Sequence, residues 1–501
     1  MSKSAPGLFF LLRVLTGLVG IGTPILLART LSVTDFTNYA SILAASGLML
    51  VISDLGLDRA CLRLLPNYAG AVSARRLSFF LGTLSLLRML ALSLVLAVVV
   101  ATGAWLPLGS GTEYSAFLLI AISLCAGASQ LVSAFMQGLL LQAFYAIIVF
   151  FTVILRFTVL VVFYFQRGAL SYELVIEVFI GIELLSLLAQ SLTVGAVALK
   201  WSTPAIPAVS MPSLHDVLTV SRANYLSYLA GIPLMGNSLV LLVGHYCNLE
   251  ITAAFAFFQN LVDRGRQFMP VRLLQSFVEP QWARLHGTDG RIRRFKVPLA
   301  VLQKANALPL SFGLALIVAV GDPLLRQITQ PLYADHLLLL ALILIQQAMG
   351  TIAELLWMGV NATNQIAKLT RGFALVSVCA TVLLVPTVKF VGAAGLIVWT
   401  WMPPLMLLVL LRHLGVSFAS LPHQTHKTVL MLVVGLVAGS IGRSVETLTG
   451  MSPQFYAPAL LVSTGAWLTM MLYLKPFNRA ERYVLRRFVY SRESVAKSRR
   501  H

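Results

Sequence analysis

SFFLGTLSLLRMLALSLVLAVVVAT, residues 78–102, carries one charged side chain, Arg88, in an otherwise apolar run rich in Leu and Val. As a helix rising about 1.5 Å per residue it would be about 37 Å long, more than the roughly 30 Å hydrocarbon core of a bilayer. Arg75 and Arg76 stand just before it, and Gly and Pro come after it. This reads as a membrane-crossing helix whose first end is held at a charged surface.

The rest of the chain repeats that pattern. Of 501 residues, 58% are apolar and only 11% charged, whereas a soluble globular chain is about a quarter charged. Taking about 20 apolar residues per span, the sequence predicts helices near 7–28, 37–56, 78–102, 115–137, 141–165, 173–199, 222–246, 251–273, 297–320, 337–359, 366–387, 390–411, 428–447 and 455–474. The expected fold class is therefore an all-α membrane protein of about fourteen transmembrane helices. Arg13 interrupts the first apolar run, which is also too long for a cleaved signal sequence, so that run reads as an uncleaved span.

Lys and Arg number 37 against 18 Asp and Glu. On the span map, Arg29, Arg167, Arg326, Lys389 and Arg443 fall on one side and Arg13, Arg88, Arg156 and Lys304 inside spans; the rest gather on the other side. The positive-inside rule makes that side cytoplasmic and puts both termini there. The excess basic charge is thus topological and lipid-facing, and no nucleic-acid partner is expected. Of the four cysteines only Cys247 lies near the outer side, so no external disulfide is expected.

The linker 200–221, with Pro204, Pro207 and Pro212, separates six spans in 1–199 from six in 222–414; two further helices occupy 415–474 and a basic cytoplasmic tail 475–501. LLARTLSVTDFTNYA (Leu26 to Ala40) can be laid on LVGHYCNLEITAAFA (Leu242 to Ala256) at constant offset, pairing Arg29 with His245 and Tyr39 with Phe255. Repeated lobes that meet at a central cavity are a common plan for secondary transporters.

The N-terminal span, LLARTLSVTDFTNYASI, and then SDLGLDRACLRLLPNYAG (Ser53 to Gly70) resemble the start of Wzx-type polysaccharide flippases. These belong to the multidrug, oligosaccharidyl-lipid and polysaccharide exporter superfamily. The resemblance implies two six-helix lobes around a cationic cavity, opening alternately to either side of the bacterial inner membrane. It also implies a lipid-linked oligosaccharide as passenger, carried on undecaprenyl pyrophosphate from the cytoplasmic to the outer leaflet. Membrane lipids, glycosyltransferases and a polysaccharide polymerase are the implied partners.

Ionisable groups inside a bilayer cost about 2.5 to 3.5 kcal/mol on insertion scales, so each is a functional candidate. Arg13, Arg88 and Arg156 would lie at increasing depth on three helices of the first lobe. A guanidinium stays charged and can grip phosphate with parallel hydrogen bonds. The competing reading pairs each with an acid such as Glu177 or Glu183. In the second lobe Asn260, Asp263, Arg264 and Gln267 share one helix face, as do Gln347, Gly350 and Glu354, and Lys304 enters the ninth span. Substrate-binding candidates are accordingly Arg13, Arg88, Arg156, Arg264, Lys304, Asn260 and Gln347. Glu177, Glu183, Asp263 and Glu354 are ion-coupling candidates, with Glu354–Lys304 and Asp263–Arg266 as purely structural alternatives.

His423 and His426 have no thiol or carboxylate cluster beside them, so no metal site is expected. No phosphate loop, cofactor motif or catalytic group stands out, and no cofactor is expected. Two other readings remain: an ion-coupled drug or metabolite exporter of the same superfamily, and a membrane polymerase or ligase for lipid-linked glycan. The first would favour an acidic cavity, and the second a long outer loop.

Overall fold

The computed structural model describes residues 5–67, 74–102, 113–200, 214–272, 293–362, 366–413, 422–449 and 456–483. The expected linker 200–221, the basic loop around 284–296, His423 and the tail after 483 therefore lie wholly or partly outside the described residues. The described residues form helices joined by short turns, with no strand among them.

Among the described residues, eleven helices are long and apolar enough to cross a membrane. They coincide with eleven of the fourteen expected spans, and the three others are present but interrupted. The seventh is split into α8 (Leu214–Gly231) and α9 (Gly236–Tyr246) around a 3-10 turn at Ile232–Leu234. Pro233 lacks the amide proton that a continuous helix needs there. The eighth is α10 (Leu249–Gly265), a shorter helix ended by another 3-10 turn. The twelfth begins at Gly392, whose left-handed φ of 76° kinks α14 (Ile366–Trp399), and continues in α15 (Met402–His413). The fold is thus an all-α membrane protein in which about fourteen spans are accounted for.

Two compact units make up the chain. The first comprises Met1–Gln267 with Ser377–Ala393, the second Phe268–Val376 with Ala394–His501. Grouping by contact thus keeps α8, α9 and α10 with the helices that precede the linker. The six-plus-six lobes read from sequence group the same helices by chain order.

Unit one contains α1 (Ala5–Thr30), α2 (Val33–Ser53), α3 (Leu57–Leu64), α4 (Ala74–Thr102), α5 (Glu113–Gly138), α6 (Gln142–Arg167), α7 (Tyr172–Lys200) and α8 to α10. The two stretches aligned at constant offset have matching geometry. α1 ends at Thr30 and α2 starts at Val33; α9 ends at Tyr246 and α10 starts at Leu249. Ser32 caps α2 by accepting from the Asp35 amide, and Asn248 caps α10 by accepting from the Ile251 amide, each satisfying an otherwise unpaired donor. Phe36 of α2 and Phe257 of α10 meet edge to face, centroids 6.3 Å apart. The α2–α3 joint needs Gly56, with φ 75°, because a Cβ there would lie 2.5 Å from the Ser221 carbonyl oxygen.

Unit two is built on α11 (Arg293–Ile328), α13 (Leu337–Ala362), α16 (Pro422–Thr449) and α17 (Ala457–Leu474), with a short α12 (Pro331–Asp335) between the first two. Leu299, Leu310, Ile352, Leu355 and Leu407 fill its core. Gly435, Gly439 and Gly442 put one bare face of α16 against its neighbours. A Cβ on Gly439 would meet Val318 Cβ at 2.6 Å, and one on Gly442 the Ala459 carbonyl at 2.7 Å. Small residues let membrane helices approach this closely where no hydrophobic effect drives them together.

Candidate functional site

Unit one brings two of the expected cations together. Arg156 on α6 donates from Nη2 to Glu183 Oε2 on α7 at 3.0 Å. Its guanidinium lies over the Phe179 ring, 4.3 Å from the centroid, an arrangement favourable to a desolvated cation. Tyr39 packs edge to face on the same ring at 5.8 Å. Arg264 on α10 acts electrostatically on both Arg156 and Tyr39. Its stem runs past α1, where a Cβ on Gly20 would touch Arg264 Cδ at 3.6 Å. Among the described residues Arg264 has no ion-pair partner, so this corner holds two guanidiniums and a single carboxylate. Arg13 on α1 lies over the Tyr145 ring, 5.7 Å from its centroid.

The remaining candidates are engaged with protein groups. Arg88 is wholly buried and pairs with Asp54 at 2.7 Å; its partner is thus neither Glu177 nor Glu183, the acids named for it from the sequence. Lys304 is also wholly buried, and its Nζ donates to both oxygens of Glu481 at 2.8 and 2.7 Å. The expected Glu354–Lys304 pair is therefore corrected: Glu354 receives Arg272 Nη2 at 2.7 Å. Asp263 and Arg266 do pair, loosely, at 3.6 Å. Asn260 donates to the Ala256 carbonyl in its own helix at 2.9 Å. Gln347 is half-buried on α13, and the Thr351 hydroxyl donates to its backbone carbonyl at 2.9 Å. Glu177 is exposed and accepts a hydrogen bond from the Tyr114 hydroxyl.

Sequence reasoning missed Asp54, Asp58, Gln130 and Glu481. Asp54 and Asp58 stand one helical turn apart in the very stretch that carries the family resemblance. Asp54 even falls inside the expected span 37–56, but only the basic residues within spans were singled out there. Glu481 sits in a tail read only for its basic residues. Among the described residues no group of three metal-ligating side chains occurs.

No protein-family model matches the chain, and no curated protein matches it. Solved structures do. The lipid II flippase MurJ, in an inward closed conformation, superposes with a TM-score of 0.60 over 93% of this chain and 99% of its own, at 13% identity. The chain has the MurJ fold. An inward-facing multidrug resistance MATE transporter of the MOP superfamily gives a TM-score of 0.46 over 87% of this chain and 100% of its own, at 13% identity. A MOP superfamily transporter from Pyrococcus furiosus gives 0.45 over 82% and 93%, at 13% identity. Both of these superpositions are too loose to add to the MurJ match.

Proposed function

We propose that the protein is a flippase for a lipid-linked oligosaccharide, moving a glycan on an undecaprenyl pyrophosphate carrier from the cytoplasmic to the outer leaflet of a bacterial inner membrane. It works by alternating access, as a transporter and not as an enzyme, and serves surface polysaccharide assembly together with glycosyltransferases and a polymerase. Both termini, the loop carrying Arg291 to Lys296 and the tail after Leu474 face the cytoplasm.

The observation that carries this reading is the charge balance around Arg156. Glu183 neutralises one guanidinium, and Arg264 is left over beside it. Arg264 is half-buried, and a partly desolvated cation beside a second guanidinium is relieved by an anionic ligand. Diphosphate oxygens match the guanidinium fork. The fold supports the same class of passenger, because the solved structure it matches is a flippase of a lipid-linked precursor.

The test is export per folded molecule. Arg264→Gln is expected to leave membrane abundance unchanged, since no ion pair is broken, while lipid-linked glycan accumulates on the inner leaflet. Arg264→Lys should restore export only in part, because an ammonium lacks the planar fork. Normal export by a well-folded Arg156→Gln, Arg264→Gln double variant would overturn the reading.

A further inference from the structure

Unit one holds a second ionic cluster with the opposite balance. Asp54 comes directly after α2 and Asp58 lies in the first turn of α3, across Leu55 and Gly56, both left-handed with φ of 51° and 75°. Arg88 reaches in from α4. Its Nη1 donates to Asp54 Oδ1 at 2.7 Å, and its Nη2 to the Leu50 carbonyl at 2.9 Å and to Gln130 Oε1 at 3.4 Å. Gln130 on α5 closes the ring by donating from Nε2 to Asp58 Oδ2 at 2.7 Å. Among the described residues, the other titratable groups registered at the cluster are Cys61 on α3 and Tyr225 on α8, whose hydroxyl donates to the Ile52 carbonyl at 2.6 Å. Neither adds a cation.

The ring therefore sets two carboxyl groups against one guanidinium. Asp58 Oδ1 is sealed from solvent and receives no donor from the described residues. The Asp58 amide donates to Asp54 Oδ1 at 3.4 Å, so the two carboxyl groups stand side by side across the joint, held by Arg88 and Gln130. Two carboxylates this close and largely shielded from water repel each other when both are ionised, and one proton between them supplies the missing donor and brings the cluster to neutrality.

We infer that Asp54 and Asp58 share a single exchangeable proton and form the protein's proton-binding site, distinct from the Arg156–Arg264 corner. The joint they straddle explains how such a proton would act. When it leaves to water, two carboxylates face each other, and Arg88 can hold only one of them. The repulsion falls across Leu55 and Gly56, the one place where α2 and α3 turn relative to each other. The link between this proton and movement of a passenger rests on the transporter reading proposed for the protein; the shared proton does not.

Infrared difference spectroscopy on the purified full-length protein in lipid nanodiscs, with no glycan present, reads the proton directly. At neutral pH the protein should show the carbonyl stretch of one protonated carboxylic acid, shifted by deuteration and lost on an alkaline step. Asp58→Asn should abolish that band, and Glu183→Gln should keep it. Asp54→Asn should abolish it too, but strands Arg88; Asp58→Asn contacts Gln130 instead and keeps the test informative if Asp54→Asn fails to fold. Absence of the band in the unaltered protein, its persistence in folded Asp58→Asn, or its removal by sodium ions at constant pH would each overturn the inference. In proteoliposomes the Asp58→Asn variant should lose the dependence of transport on a pH gradient. Unchanged dependence there, with the band gone, would sink the coupling role and leave both the shared proton and the flippase reading standing.

Discussion

Two arginines on helices α4 and α6 of unit one look alike in the sequence and differ in the structure. Arg88 sits where acids are in excess: Asp54 and Asp58 face one guanidinium, whose Nη1 and Nη2 are both taken by protein acceptors. Arg156 sits where bases are in excess: Glu183 faces it, and Arg264 stands by with no ion-pair partner among the described residues. Depth in the membrane, the only quantity a span map provides, does not separate them. Local charge balance does: a surplus of acid calls for a proton, and a surplus of base calls for an anion.

That contrast is most exposed to failure at Arg88. Arg88→Gln leaves Asp54 buried without its partner, and breaking such a pair costs about 3–5 kcal/mol. The expected outcome is a large loss of folded protein in membranes, restored by adding Asp54→Asn. Wild-type abundance of the single variant would show that Arg88 is held less firmly than its contacts suggest.

A comparable, somewhat smaller effect is expected in unit two. Glu481 accepts from Lys304 and also from the Asn478 amide, while its own amide donates to Asn478 Oδ1. Gln can keep that reciprocal cap, so Glu481→Gln isolates the charge. It should lower the thermal midpoint by the equivalent of roughly 3 kcal/mol, as for any lone buried cation. Adding Lys304→Met should recover most of the loss; a midpoint unmoved by Glu481→Gln would mean that the ammonium finds another partner.

Arg156→Gln should be milder. Its partner Glu183 keeps 20% of its side chain exposed, so the loss is roughly 1–3 kcal/mol, the range for one charged hydrogen bond. A fall as large as that of Arg88→Gln would erase the distinction between the two corners. Smallest of all is Asp263→Asn, which removes a 3.6 Å pair exposed by 46% on the acid side. A shift below about 1 kcal/mol is expected by differential scanning fluorimetry.

How far the sequence could be read obeys the same divide. Apolar run length placed all the spans, because crossing a bilayer depends on summed hydrophobicity. It did not show that the seventh and twelfth are broken, since Pro233 and Gly392 change backbone continuity without changing that sum. The α1–α2 and α9–α10 correspondence was visible because the two stretches align at constant offset, pairing Arg29 with His245 and Tyr39 with Phe255; the structure adds that the caps Ser32 and Asn248 pair as well. Ion pairing was mostly invisible. Arg88 and Asp54, Lys304 and Glu481, and Arg272 and Glu354 are far apart in the chain, and only packing decides which acid each cation meets. The Arg156–Glu183 pair was foreseeable because α6 and α7 are consecutive, antiparallel helices whose facing positions can be counted off.

The bare face of α16 has a mechanical consequence. α11 contains Pro298, Pro309 and Pro323, each of which removes a backbone hydrogen bond and would let an isolated rod flex. Gly439 and Gly442 remove the cushion of side chains between that rod and its neighbours. Trp467 of α17 bonds Ser311 Oγ at 3.0 Å, and Ser463 bonds the Ala315 carbonyl at 3.3 Å. Three rods glued so closely behave as a laminate: bending one requires sliding it along the others, and the glycine contacts oppose that shear. The prolines therefore give α11 a fixed curvature, and the bonded trio moves as a single stiff plank.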